Sequence, residues 1–292
     1  MKLIPVVSVL VTVFNREAYL AATLDSILAS SFQDFEVIVV DDASLDGSLA
    51  IANRYQRQDS RVRVFTNASN LGDYANRNRA AAEALGNYLK YVDADDLLYA
   101  HSLEIMVKAM ESAPSAGLGL SWNVIDPPCP YPFVSTPEEV YRAHYLGKSV
   151  LGVGPSAAII RRSAFEAIGG FSGTQFIGDA ELWLRLAARW PVVSLPPSLV
   201  WWRRHEGQQM SIEQSRPEVL NFRYQMECNG LADCGLLSET EKRLGRARLS
   251  YRHGRRLFSM AVRERRPGPA FQLWRRAGLS ARDFFRCFWR AF

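Results

Sequence analysis

The sequence predicts an α/β fold: a mostly parallel central sheet with helices on both faces, followed by a helical C-terminal extension. Three observations carry this expectation. Short apolar runs alternate with segments of helical periodicity over residues 6–113, and near-continuous apolar strands belong to sheets buried on both faces. The chain has 292 residues, 48% of them hydrophobic, enough for one large core with an appendage. The charge is also unevenly divided. Residues 243–292 hold fourteen arginines against Glu264 and Asp283, while the whole chain sums to +5, so the remainder is net acidic. The basic character belongs to the tail, and the two parts are read separately.

The elements follow in order. "VVSVLVTV" is the first strand. With Lys2 ahead of it and "YLAAT" behind, the start also has the outline of a short signal peptide. Its Val and Thr content and its "NRE" ending fit a buried strand better. "EAYLAATLDSILASS" places Tyr19, Leu20, Thr23, Leu24, Ile27 and Leu28 at helical spacing. "FEVIVVDD" is a second apolar strand, "SLDGSLAIANRYQRQ" a helix and "RVRVFTN" a third strand. "DYANRNRAAAEAL" is a helix that Gly86 is expected to end. "NYLKYVDADD" is a strand and turn, and "LYAHSLEIMVKAMESA" a helix.

Beyond residue 113 the pattern loosens. "IDPPCPYPFVSTP" is a Pro-rich loop, unsuited to a regular helix or a central strand. "SVLGVGPSAAIIRRSAFEAIGGF" reads as a strand, a short helix and a Gly-Gly stop. "DAELWLRLAARW" is a helix with Leu182, Leu186 and Ala187 on one side. "VVSLPPSLVWWRRHEG" is an apolar segment closed by basic residues, and everything after about residue 213 looks helical. Cys129, Cys228, Cys234 and Cys287 are scattered, which argues against a zinc ribbon or disulfide framework and fits a reducing compartment. No apolar run reaches the roughly 18 residues that a membrane span needs.

In open α/β sheets, ligands bind beyond the carboxyl ends of the strands. The polar residues there are Thr12, Phe14 and Asn15, then Asp41 and Asp42, then Asn67 and Asn70, then Asp93, Asp95 and Asp96. The last group needs explaining, because clustered carboxylates repel. A helix cap accounts for Asp95 or Asp96 but not for Asp93 at the strand end. A calcium loop fails, since Leu97 and Leu98 stand where a ligand and a turn glycine are required. A Mg²⁺ or Mn²⁺ ion shared with substrate phosphates accommodates all three.

Together, "VSVLVTVFNREAYLAATLDSIL", "FEVIVVDDASLDGS", "NLGDYANRNRAA" and "YVDADD" resemble, in order and spacing, the motifs of family 2 glycosyltransferases. The resemblance covers residues 6 to about 115 and resumes from about 155 to 212. It implies a Rossmann-like GT-A domain over 1–212, with a nucleotide-sugar half (1–115), an acceptor and catalytic half (116–212) and a basic helical extension (213–292). It also implies metal-dependent, inverting transfer from a nucleotide-diphospho-sugar, with a UDP-sugar favoured, to a glycan or lipid-linked acceptor of cell-envelope polysaccharide synthesis. By the resemblance, Thr12 and Phe14, where the family often has Pro-x-Tyr, hold the base. Asp42 accepts a hydrogen bond from it, and Asp41 orders the same turn. Asp93 and Asp95 meet the ribose and the metal, with Asp96 a further ligand and Arg77 facing the diphosphate. Asn76 replaces the family's usual alanine beside Arg77.

Inverting transfer needs one carboxylate to take the acceptor proton. In "FIGDAELWLRL", Gly178 stands where the family commonly has Glu, and Asp179 keeps the Asp. Asp179 is the expected base, with Glu181 in reserve; a helix cap is the plainer role for Asp179. "WWRRHEG" resembles the segment that lies over the diphosphate, so Arg203 and Arg204 are candidates for the phosphates and His205 for the metal. A solvated basic turn explains them equally well. Trp201 and Trp202 stack on a sugar or pack in the core.

In the tail, Phe284, Phe285, Phe288, Trp289 and Phe292 fall on one side of a helical wheel, with Arg282, Arg286 and Arg290 roughly 130° away. An aromatic face bordered by arginine suits an anionic membrane surface, and a helix docked on the domain is the alternative. No nucleic-acid motif is present. These features point to a cytoplasmic protein held on the inner face of the plasma membrane. Two other functions compete. A non-catalytic sugar-nucleotide-binding subunit has no need of Asp179. A sugar nucleotidyltransferase needs a Gly-rich basic signature after the first strand, which "VTVFNREAYL" lacks.

Overall fold

In the computed structural model, residues 4–122, 127, 129–174, 176–205 and 216–280 are described. They divide into two units, one of residues 1–137 and 150–203, the other of 138–149 and 204–292. The expected boundary at 212/213 and the tail residues Arg282, Phe284, Phe285, Arg286, Phe288, Trp289, Arg290 and Phe292 lie outside the described residues.

The first unit opens with alternating β and α elements: β1 (Val7–Val13), α1 (Leu20–Leu28), β2 (Phe35–Asp41), α2 (Ser48–Gln58), β3 (Val62–Thr66), α3 (Asp73–Ala82) and β4 (Tyr88–Tyr91). β1 pairs in parallel with β2 and β4, and β2 with β3. Every residue of β2 and β4 is buried, as expected for strands covered on both faces. Val9, Val11, Val37 and Val39 pack against Leu24 and Met106 in the core.

β5 (Leu97–Leu98), α4 (Ser102–Ser112), β6 (Leu118–Ser121), β7 (Phe133–Ser135), α5 (Pro137–Leu146), β8 (Ala158–Arg161), α6 (Arg162–Ala167), α7 (Gly178–Ala187), β9 (Val192–Leu195) and β10 (Val200–Trp201) follow. The large sheet has the order β3-β2-β1-β4-β8-β6-β9-β7. β8 runs antiparallel to β4 and β6, and β6 runs parallel to β9. The carboxyl ends of β1, β2, β4, β6 and β9 therefore share one rim.

Three local outcomes differ from the sequence expectation. The Pro-rich stretch contributes β7, a three-residue strand at the sheet edge, where a lost ladder donor costs little. The helix before Gly86 ends at Ala82. Gly86 instead lies so close to β1 that a Cβ would sit 2.6 Å from the Ser8 nitrogen. A two-stranded ribbon, β5 with β10, was not anticipated and matches Leu98 to Val200 and Leu97 to Trp201.

The second unit is helical. It takes most of α5, together with α8 (Glu218–Ala232), α9 (Glu239–Val262) and α10 (Pro267–Arg276). α9 starts with a capping box between Ser238 and Glu241. Leu257 and Met260 pack against Ala270 and Leu273. Two histidines are buried here. His253 stacks on Tyr224 at 4.5 Å, with Nε2 2.8 Å from Asn221 Oδ1. His144 Nδ1 lies 2.7 Å from Ser149 Oγ. Burial lowers the pKa of His253 to about 4. Burial, with Arg252 and Arg223, lowers that of His144 to about 3.

Both histidines are held neutral in the folded state, whereas the unfolded chain protonates them below about pH 6.5. The unfolded state then binds more protons, so stability rises with pH in that window. Urea unfolding of this unit is expected to show stability falling from pH 6.5 towards pH 4, and His253→Gln should flatten part of that slope. An unchanged slope in the variant would contradict the assignment.

Candidate active site

Asp42 follows β2 and is buried. Its Oδ1 accepts from Asn67 Nδ2 at 2.7 Å and from the Leu71 amide at 2.8 Å, while Oδ2 accepts from the Gly72 amide at 3.0 Å. Both oxygens thus hold the loop between β3 and α3. Asp41 is different. Its Oδ2 accepts from the Ser44 amide at 3.0 Å, but its buried Oδ1 has no partner among the described residues. Such an acceptor is costly unless a ligand meets it. In the hydrogen bonding among the described residues, Asp42 Oδ2 has a single donor, and Asp41 keeps one oxygen open. Thr12 is half-buried and Phe14 exposed on the β1 rim. Asn76, the departure beside Arg77, accepts from Asn67 at 2.9 Å and donates to the Val40 carbonyl at 3.2 Å. An alanine there could make neither bond.

Arg77 is buried on α3 and bridges two carboxylates. Nε donates to Asp73 at 2.8 Å and Nη2 to Asp93 at 2.8 Å. Burial opposes its charge, but Asp73 and Asp93 outweigh that and raise its pKa above the ordinary arginine value. Its buried Nη1 has no partner among the described residues. It is a donor aimed from the same face of α3 that holds Asp93.

The acidic turn after β4 is braced on several sides. The Asp93 amide donates to Ser156 Oγ at 3.0 Å. Asp95 accepts from Arg16 Nε at 3.1 Å. The Arg203 side chain donates to the Asp95 carbonyl at 2.8 Å, and its amide to Asp96 Oδ1 at 3.2 Å. The guanidinium of Arg203 lies between the rings of Tyr19 and Trp201, at 5.1 and 5.0 Å. The β5–β10 ribbon brings it there. Thr23 Oγ1 donates to the Ala94 carbonyl at 3.0 Å. Trp202 is exposed beside these residues in sequence.

Asp96 is buried, and its pKa is raised to about 7, first by burial and then by Asp93. Lys90 lies beneath, fully buried on β4, and donates to the Ser156 carbonyl. Burial lowers its pKa to about 7 against the pull of Asp96 and Asp93. Arg16, Lys90, Asp73 and Ser156 were not picked out from sequence. A lone lysine inside an otherwise apolar strand, and an arginine just past the β1 rim, were the available signals.

Among the described residues, no three His, Cys, Asp or Glu side chains converge as a metal cage. The donors present are hard carboxylate oxygens, with Asp93 and Asp95 close enough to add to burial in raising the Asp96 pKa. They fit Mg²⁺ or Mn²⁺ in the mode where one or two carboxylates share the ion with substrate phosphates. Arg204, exposed, and His205, half-buried, belong to the second unit.

Asp179 stands in the first turn of α7, with Oδ1 accepting from the Ala180 amide at 2.7 Å. α3 reaches this turn as well. Asn78 exchanges hydrogen bonds of 2.8 and 3.0 Å with the main chain of Phe171, in the loop leading to α7. Gly170 in that loop has φ +67, and a Cβ there would lie 2.6 Å from Asn78 Oδ1. Glu181 accepts from Ser172 Oγ. One helix therefore holds Asp93 through Arg77 and the entry to α7 through Asn78.

The profile of Glycosyl transferase family 2 matches residues 8–169. The chain belongs to this family. A Haemophilus influenzae glycosyltransferase of uncharacterised function is 36% identical over 106 residues, covering 36% of this chain and 42% of the relative. The match thus spans less than half of that relative. The Staphylococcus aureus TarS structure with UDP-GlcNAc superposes with TM-score 0.73 at 21% identity, covering 95% of this chain and 82% of that one. A Pyrobaculum calidifontis mannosyltransferase, PcManGT, with GDP-Man and Mn²⁺ gives 0.62 at 19%, covering 98% and 84%. At these identities the superpositions establish the GT-A fold.

Asp42 is the structural centre of the base-side loop. Replacing it with Ala orphans two backbone amides and the Asn67 amide. Asp42→Ala is expected to lower stability by about 1–3 kcal/mol, read by urea unfolding; a loss under about 0.5 kcal/mol would show that the loop does not depend on it.

Proposed function

We propose that this protein transfers a sugar from a nucleotide-diphospho-sugar, with a UDP-sugar favoured, to a hydroxyl of a glycan or lipid-linked acceptor, by a single inverting displacement. The observation that carries this reading is the shared support of two chemical centres by α3. Asp93 is held by Arg77, and the turn bearing Asp179 is held through Phe171 by Asn78. A donor seat and a lone carboxylate on one rigid scaffold are what this displacement requires.

In this reading, Asp179 takes the proton of the acceptor hydroxyl as its oxygen bonds to the anomeric carbon and the bond to the diphosphate oxygen breaks. The unpartnered Arg77 Nη1 meets the diphosphate. Thr12 and Phe14 bound the base, and Asp42, whose Oδ2 has one amide donor, accepts its N–H beside the open Oδ1 of Asp41. Asp93 contacts the ribose, and Asp95 and Asp96 would hold Mg²⁺ or Mn²⁺. When bound, the ion stabilises charge on the departing diphosphate. Arg16 and Arg203 keep the acidic turn shaped for that role.

We also assign the second unit to an anionic membrane surface. α9 carries Arg248, Arg252 and Arg255 exposed on one side, with Arg263 exposed just past its end, and among the described residues no helix is long and apolar enough to cross a membrane. Lysines and arginines near an anionic surface each add about 1 kcal/mol of attraction.

Asp179→Asn is expected to cut transfer by about 10²–10⁴-fold with UDP binding by calorimetry unchanged, whereas Asp95→Ala should abolish the strengthening of UDP binding by Mn²⁺. Wild-type transfer in the first variant, or wild-type Mn²⁺ dependence in the second, would reject the respective role. For the surface, reversing Arg248, Arg255 and Arg263 to Glu should release the protein from phosphatidylserine vesicles at low salt; equal partitioning of both forms would reject membrane docking.

A further inference from the structure

The start of α7 has an unusual cap. The residue before its first turn is Ile177, which has no side-chain oxygen to offer. The first amides of a helix need acceptors from outside the helical ladder. The Ala180 amide uses Asp179 Oδ1, and the Glu181 amide uses the Ile177 carbonyl at 3.0 Å. Beside this turn stands the phenol of Tyr74, which comes from α3 and is near enough to feel the charge of the Asp179 carboxylate.

The Tyr74 ring is wedged into the same place. It is buried and stacked on Phe171 at 5.2 Å with planes 28° apart. A Cβ on Gly178 would lie 2.8 Å from Cε2 and Cζ of that ring, a distance that real Cβ contacts do not show. Glycine at 178 and tyrosine at 74 are therefore one fitted pair. Burial, then the carboxylates of Asp179 and Asp73, push the phenol pKa above its ordinary value, so the hydroxyl stays protonated and neutral.

We infer that Tyr74 is a positioning residue for Asp179: its ring fills the space beside Gly178 and so fixes the first turn of α7 from α3. This rests on the reading of Asp179 as base. Arg77 stands one turn further along α3 and holds Asp93. A displacement of Tyr74 thus changes where Asp179 stands relative to the donor seat, and misplacement of about 1 Å costs as much as 10²-fold in rate.

The full chain tests this with Tyr74→Leu, Gly178→Ala, the double variant and Asp179→Asn. Turnover is followed as UDP released from whichever of UDP-glucose, UDP-galactose and UDP-N-acetylglucosamine the wild type uses fastest. Tyr74→Leu, which removes the ring, is expected to lower kcat about tenfold with the donor KM unchanged, and to speed hydrogen exchange at the Asp179 amide at least tenfold. Gly178→Ala should lower kcat similarly. The double variant should be no worse than the poorer single one, because both act through one contact. Wild-type kcat and amide protection in Tyr74→Leu, or multiplying losses in the double variant, would overturn the inference. Wild-type activity in Asp179→Asn would instead sink the base assignment, and the amide exchange result would still report on the Tyr74 contact by itself.

Discussion

A guanidinium removed from water must be met by charge, and Arg77 is met from two directions. Asp73 lies one turn back on its own helix and Asp93 lies at the end of the neighbouring strand. The bond to Asp73 aims the side chain, and the bond to Asp93 fixes α3 against β4. Because a buried unpaired charge is strongly disfavoured, this bridge has no partial form. Tyr74, Asn76 and Asn78 share the helix, so its placement sets the loop between β3 and α3, the loop of Gly170 and Phe171 and the start of α7 together. The parts proposed to bind donor and to accept the proton are consequently not independent modules.

The acidic turn is an exercise in charge balance. Asp93, Asp95 and Asp96 face Arg77, Arg16 and Lys90, with Arg203 adding main-chain contacts. Asp96 and Lys90 are the least compensated, and both have pKa values displaced to about 7. In the proposed function, the carboxylate charge these cations leave uncompensated is what a divalent ion with its own phosphate oxygens would neutralise.

The first half of the sheet was legible because its signal is local. β1, β2 and β4 are uninterrupted apolar runs, and the polar residues at their carboxyl ends could be named as one rim. What stayed hidden was set by distant partners. Gly86 looked like a helix stop, but the approach of β1 decides its identity. That Asp42 holds the loop after β3 was hidden too, since only the pairing of β2 with β3 shows whose amides are within reach. The β5–β10 ribbon, two residues a side, is too short to leave a periodic trace. Gly178 read as a missing glutamate until Tyr74, about a hundred residues earlier, was found occupying its space.

That ribbon has a consequence for how the molecule is made. Leu97 and Leu98 pair with Val200 and Trp201, and this pairing carries Arg203 to the main chain of Asp95 and Asp96. The acidic turn is synthesised early, but its last brace leaves the ribosome about a hundred residues afterwards. Contacts of such long sequence separation form slowly. During synthesis the crowded carboxylates exist without one of their supports, so the donor seat is completed only when the final strand of the first unit arrives.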